Sequence, residues 1–156
     1  MATNNAINLQ GPTPAFSAYL GTTDSNVTGS SILYRLGSGN ALTELYDYTN
    51  SFNTNGIFTA PVAGVYQFNG AIHYFSMMPE DVGIISIHTT QHVFEYPFGT
   101  RFTETFDAIA FSTSANMAIG ETAYLNFLVN SGSQIVDVYG GADIRTFFNG
   151  FLVAKI

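Results

Sequence analysis

The stretch that decides the fold runs Gly56-Ile57-Phe58-Thr59-Ala60-Pro61-Val62-Ala63-Gly64-Val65-Tyr66-Gln67-Phe68-Asn69-Gly70-Ala71-Ile72-His73-Tyr74-Phe75. Its first four residues read as a short strand. Pro61 followed by Ala63-Gly64 makes a turn, because proline presets φ and glycine accepts backbone shapes closed to other residues. From Val65 onward the pattern has period two, the strand signature. Tyr66, Phe68, Ile72 and Tyr74, with Gly70 among them, fall on one face, and that set can fill a core. Val65, Gln67, Asn69, Ala71 and His73 fall on the other. That second set is small and mixed. It suits a sheet face that meets another subunit and equally one wetted by solvent, and alternation alone does not choose between them.

The same period extends along the chain. Candidate strands are Ala15–Leu20, Ser31–Arg35, Leu42–Tyr46, Gly56–Thr59, Val65–Phe75, Ile84–Thr89, Val93–Tyr96, Thr105–Ser112, Thr122–Val129 and Phe147–Ile156. Turn formers separate them, as in Gly37-Ser38-Gly39-Asn40 and Asn130-Ser131-Gly132-Ser133. Ten short strands with no amphipathic helix predict an all-β antiparallel sandwich of the jelly-roll kind. The last strand differs from the others. Phe147, Phe148, Phe151, Leu152 and Val153 put apolar groups on both faces, which implies a layer covering the second face; a sister subunit is the simplest cover. Before Ala15, residues 1–14 read as an extended arm, since Gly11-Pro12-Thr13-Pro14 bars a helix. Ile7 and Leu9 are its apolar anchors, and Pro12 and Pro14 stiffen it. The arm reads either as a loose tail or as a segment that orders on a neighbour. The domain proper is expected over 15–156.

Composition narrows the function. The 156 residues include no cysteine, which excludes a disulfide framework and thiolate chemistry. Charged residues make up 10%, against about 25% in an average soluble domain, which reads either as a neutral-polar surface on a monomer or as a surface largely buried against copies of itself. The net charge is −7 and the basic residues, Arg35, Arg101, Arg145 and Lys155, are scattered. No basic stripe exists to neutralise phosphates, so neither nucleic acid nor an anionic membrane surface is an expected partner. The polar start has no basic residue followed by an apolar run, so no secretory signal is read there.

Several residues together resemble a known family. Phe58, Gly64, Tyr66 and Phe68 match, at the same spacing, the signature of the complement 1q globular head: Phe, five residues, Gly, any, Tyr, any, Phe. Asp47 and Phe52 match an earlier portion. Phe148-Asn149-Gly150-Phe151-Leu152-Val153 is similar to the family's closing strand, and Gly120-Glu121-Thr122-Ala123-Tyr124-Leu125 to its penultimate turn and strand. Gly70 departs from the pattern, standing where the family has an aromatic. The resemblance spans nearly all of Ala15 to Ile156. It implies a ten-stranded jelly roll of the tumour-necrosis-factor type, a homotrimer packed through one sheet, and recognition of partners by outer loops rather than catalysis. The suspected trimer interface is Val65, Gln67, Asn69, Ala71, His73, Phe147, Phe151 and Val153. Phe58, Tyr66, Phe68 and Phe151 are expected as the large buried aromatics. The Met-Ala-Thr-Asn-Asn start and the Asn/Thr/Ser/Gly-rich composition look like bacteriophage structural proteins. With no collagen-like repeat, the expected setting is a virion assembled in a bacterial cytoplasm.

Candidate chemistry is sparse. His88 and His92 lie four apart but on a strand or its end, without an acidic third ligand nearby, so no metal site is expected. His73 reads first as a structural histidine satisfied by a hydrogen bond; if its face lies near a threefold axis three copies would cluster, and the other reading is a pH-sensitive trimer. No cofactor is expected, with calcium the one left open: Asp24, Asp81, Asp137, Asp143, Glu80 and Glu121 are scattered in or near loops, and calcium takes six to eight oxygens. No serine elbow, His-Glu metal pair or phosphate loop appears, so an enzyme is not expected. The leading expectation is a non-enzymatic trimer that decorates and cements a phage capsid at threefold positions, with the major capsid protein or another virion protein as partner. The alternative is the receptor- or glycan-binding head of a tail fibre or bacterial adhesin, using aromatics around Phe94-Glu95-Tyr96-Pro97-Phe98.

Overall fold

The computed structural model describes residues 11–76, 81–99, 106–133 and 135–156, and all described elements are strands. They are β1 (Ala15–Tyr19), β2 (Asp24–Thr28), β3 (Tyr34–Arg35), β4 (Thr43–Asp47), β5 (Phe52–Asn53), β6 (Ile57–Thr59), β7 (Gly64–Phe75), β8 (Val82–Thr89), β9 (Val93–Gly99), β10 (Phe106–Met117), β11 (Thr122–Asn130), β12 (Val136–Val138) and β13 (Phe147–Lys155). One sheet runs β2-β12-β7-β13-β1-β4, with β10 along the other edge of β7; the second runs β5-β6-β11-β8-β9, with β3 on β11. Every strand pairing within the two sheets is antiparallel.

The strands that sequence marked by alternation are present, with ends shifted by a few residues. The exception is Ser31–Arg35, of which only Tyr34–Arg35 pairs. Ser31 has φ 61, which breaks the extended run. Three further strands are present. β2 runs Asp-Ser-Asn-Val-Thr, with Asn26 at φ 57 and Val27 its one apolar residue, and carries no apolar alternation to read. Its two ends, Asp24 and Thr28, are buried. β5 is two residues held by Asp47, whose carboxylate accepts the Phe52 amide at 2.7 Å and the Thr49 amide at 3.1 Å. That loop is the physical content of the Asp47…Phe52 match. β12 is three residues whose two valines are buried.

Between the sheets lies one aromatic core. Phe16 stacks on Phe52 (4.4 Å between ring centroids) and Phe58 (5.0 Å), and meets Phe148 edge-on (5.2 Å). A second centre joins Tyr74, Phe98 and Phe127. Two glycines are set by this packing. A Cβ at Gly150 would lie 2.6 Å from the Phe68 ring and 2.8 Å from the Phe16 ring. One at Gly70 would lie 2.6 Å from Leu125, so Leu125 fills the space into which a side chain at position 70 would project. Phe58, Tyr66 and Phe68 are buried as expected, but Phe151 is 45% exposed. Its parity on β13 puts it on the sheet's outer face, because Phe148, Gly150 and Leu152 take the inner one.

Of the expected arm, Ile7 and Leu9 fall outside the described residues. Pro12 is exposed. Pro14 is buried and its carbonyl accepts the Leu152 amide at 2.9 Å, so it belongs to the sheet rather than to a free arm.

Candidate functional site

Strand register brings the suspected interface residues onto one surface. Opposite partners across the sheet form rows. One row runs Ser112, Asn69, Asn149, Ser17, Tyr46; the next runs Ala110, Ala71, Phe147, Tyr19, Thr43; a third runs Ser114, Gln67, Phe151, Ala15. Val65 faces Asn116 and Ala154 beyond them, and His73 faces Ala108 at the other end. Val153 sits in the bulge of β13 and is 58% exposed. All eight suspected residues therefore lie on the outer face of the sheet formed by β4, β1, β13, β7 and β10. No residue of these rows carries a formal charge, although the chain's net charge is −7.

The face is apolar at its flanks and amide-rich at its centre. Asn69 Nδ2 donates to Asn149 Oδ1 at 2.9 Å. Gln67 Nε2 donates to Asn69 Oδ1 at 3.4 Å. These bonds hold the central amides flat, leaving Val65, Ala71, Phe147, Phe151 and Val153 to supply apolar area. Sequence missed the β10 and β1 contributions: Ala108, Ala110, Ser112, Ser114, Asn116 and Ser17. The alternation through Phe106–Met117 carries that signal, with every second residue small and uncharged.

A second surface adjoins the face. β9 and β10 are the outermost strands on one side of the sandwich, each with one hydrogen-bonded neighbour among the described residues. Val93, Tyr96 and Phe106 are exposed there, while Phe94, Phe98, Ile109 and Phe111 pack partly onto the core. Tyr96 stacks on Phe111 at 6.3 Å. Between the two strands opens a cleft lined by Tyr74, Ile84, Tyr96, Phe98, Asp107 and Ile109.

The described carboxylates and histidines that the sequence singled out as candidate ligands make contacts within the chain. Asp24 accepts the Tyr34 hydroxyl at 2.5 Å and the Asn40 backbone and side-chain amides at 2.8 and 2.6 Å. Burial, then the bond to Asp24, pushes the Tyr34 phenol well above its ordinary value. Asp137 accepts the Asn26 amide at 2.7 Å, and Asp143 pairs with Arg145. Glu121 accepts Gln91 Nε2 at 2.6 Å and the Ala118 amide at 2.9 Å, which hold its carboxyl below the usual range. Asp81 is buried, and Glu80 lies outside the described residues. His88 bonds Ser86 Oγ at 3.1 Å and leans on Tyr124, with its ring pushed below its ordinary value by burial; His92 lies in the following turn against Phe94. Among the described residues no three of His, Asp or Glu come together in a metal-holding group.

Solved structures share this arrangement. The globular domain of zebrafish complement 1qA protein superposes with a TM-score of 0.62 at 18% identity, covering 93% of this chain and all of that one. The fold is the complement 1q and tumour-necrosis-factor jelly roll. Murine APRIL at pH 8.0 gives a TM-score of 0.63 at 7% identity over 91% of this chain. Eiger TNF from S. frugiperda gives 0.58 at 11% identity over 93%. No protein-family model and no curated protein matches the sequence. At these identities the complement 1q-like jelly roll is shared as a fold, and function rests on this chain's own surfaces.

Proposed function

We propose that this chain is a non-enzymatic structural protein that works as a homotrimer through the uncharged sheet face. The observation that carries the reading is the face itself. β7 has twelve residues. β10 also has twelve, β13 nine, and β1 and β4 five each; at about 3.4 Å per residue and about 4.8 Å between strands the face covers about 700 Å². That is close to the roughly 800 Å² that one partner contributes to a standard stable interface. An uncharged surface of this size, in a chain of net charge −7, has the composition of an interface core.

Threefold closure needs two different patches, because identical patches meeting across a twofold axis make a dimer. The exposed apolar edge of β9 and β10 is the second patch. Packing that edge of one copy onto the sheet face of the next generates a closed ring. It also buries the outer edges of two strands that are otherwise open to pairing with strangers.

The biological setting we propose is a phage virion. The trimer decorates the capsid at threefold positions and cements it, since whatever binds only the assembled shell stabilises it by mass action. The segment before Pro12 reaches the neighbouring capsid protein. The alternative is a receptor- or glycan-binding head, for which the exposed Tyr96 is the observation in favour. Mixing the purified protein with undecorated shells and sedimenting them tests the assignment. Co-sedimentation at three chains per threefold site, with shells surviving a higher temperature, is expected. Binding to host cells but not to shells would reassign the protein to the alternative. Removing residues 1–12 should cut shell binding at least tenfold and leave the oligomer whole; undiminished binding would remove the arm's role.

A further inference from the structure

Among the residues along the face, His73 titrates nearest to neutral pH. It lies where β13 ends as the partner of β7, at Ala71, and β12 takes over at Tyr74. Its amide donates to Thr146 Oγ1 at 3.1 Å and its carbonyl accepts the Tyr139 amide at 2.8 Å, which fix the backbone beneath the ring. The ring itself is enclosed. Phe106 meets it edge-on at 3.9 Å and Tyr139 at 5.7 Å, and the side chain is 8% exposed. Phe75 stacks on Phe106 at 5.7 Å and completes the rim. Buried Nδ1 has no hydrogen-bond partner among the described residues.

We infer that His73 is a proton switch for assembly: neutral, it leaves the sheet face uncharged and the trimer closed, and protonated, it opens the aromatic rim and releases the subunits. This inference rests on the self-association proposed above. An imidazolium carries two N–H donors, and Nδ1 faces no acceptor among the described residues, so protonation leaves a buried donor unmatched there unless the rim parts. The charges around the ring have been set against each other. Arg145, which lies over the Phe106 and Tyr139 rings, opposes a second cation. Asp143 is paired with Arg145, and Asp107 on β10 lies on the inner side of its strand, opposite Tyr74; both favour the cation. Asp137 on β12 is engaged by the Asn26 amide. Phe147 and Tyr19, in the adjoining row, add no formal charge at neutral pH. Burial is the largest influence and Arg145 the next, so the ring sits below its ordinary value despite the two carboxylates. Covering the face with a second subunit removes more water and lowers it further. Protonation of the ring therefore opposes assembly, so acid weakens the trimer, and three rings titrating in one assembly multiply the effect.

The test follows mass and ring charge together in the full chain. Light scattering reads the mass from pH 8 to pH 4.5. Histidine ring NMR signals, with His73 assigned by its loss in His73→Gln, read the titration, and circular dichroism reads the fold. A trimer at pH 8 that dissociates, still folded, as the His73 signal titrates below 6.5 is the expected result. A mass that stays constant while the His73 signal titrates overturns the switch. So does dissociation at the same pH in both His73→Gln and His73→Phe. A monomer at pH 8 refutes the self-association itself, and is distinguished by appearing before any acid is added.

Discussion

Placing one charge at the centre of the face, by Asn69→Asp, separates assembly from folding. Asp and Asn have the same size, and position 69 is half-buried in the single chain, so a carboxylate there keeps much of its water. The folded subunit loses the donor to Asn149 Oδ1, worth about 1 kcal/mol. Assembly is a different matter. The rows around Asn69 contain Ser112, Gln67, Asn149 and Ser17, with no basic residue to pair with the new charge. Stripping water from an unpaired carboxylate costs several kcal/mol. Taking about 3 kcal/mol per subunit gives about 9 kcal/mol for three, a loss of more than about a millionfold in the trimer constant. Sedimentation velocity at micromolar concentrations reads the species, and circular dichroism checks the fold. A folded monomer is expected for Asn69→Asp, with Asn69→Ala remaining mostly assembled. A trimer of Asn69→Asp with unchanged affinity would refute the placement of the interface.

Other substitutions probe the fold that presents the face. Gly150→Ala drives a methyl into the Phe68 and Phe16 rings, of which Phe16 is already stacked on Phe52 and Phe58 and Phe68 on Phe148; thermal melts should show a loss of about 3 kcal/mol, or about 6–12 °C. Gly132→Ala meets open space at φ +79 and should cost about 1 kcal/mol; a larger loss there than at Gly150 would contradict the packing. Asp24→Ala leaves the buried Tyr34 hydroxyl and the Asn40 donors without their acceptor, and chemical denaturation should register about 3 kcal/mol. Alkaline titration gives a pH test. Burial, with the Asp24 bond for Tyr34 and Asp107 for Tyr74, raises both phenols above the ordinary value of 10. The folded state therefore holds protons that the unfolded state releases, and stability is full below pH 10 and falls as pH rises past it. Phenolate absorbance should leave these two un-ionised at pH 11 while the chain stays folded; all nine tyrosines ionising together without unfolding would contradict it.

What sequence showed and what it hid divide along physical lines. β7, β8 and β11 were legible because long alternating runs leave few other readings, and β13 because its apolar residues on both faces mark a strand covered on both sides. β2 and β12 were not. β2 is held by buried Asp24 and Thr28 rather than by apolar alternation, and β12 is too short to show a period. Phe151 was misread as core because one strand cannot say which of its two apolar faces is inward; only the pairing with Gln67 and Ala15 does. Seven of the eight suspected face residues alternate on β7 and β13 and were readable as partners. The half of the face contributed by β10 and β1 was hidden, because register, not composition, brings Ser112 and Ser17 to either side of Asn69 and Asn149.

Sedimentation equilibrium of the full chain at neutral pH is the most direct measurement of the central claim. A mass near three times 16.9 kDa, about 51 kDa, is expected across the micromolar range. A single species of 16.9 kDa throughout would mean that the uncharged sheet face stands open to water, and would contradict the account.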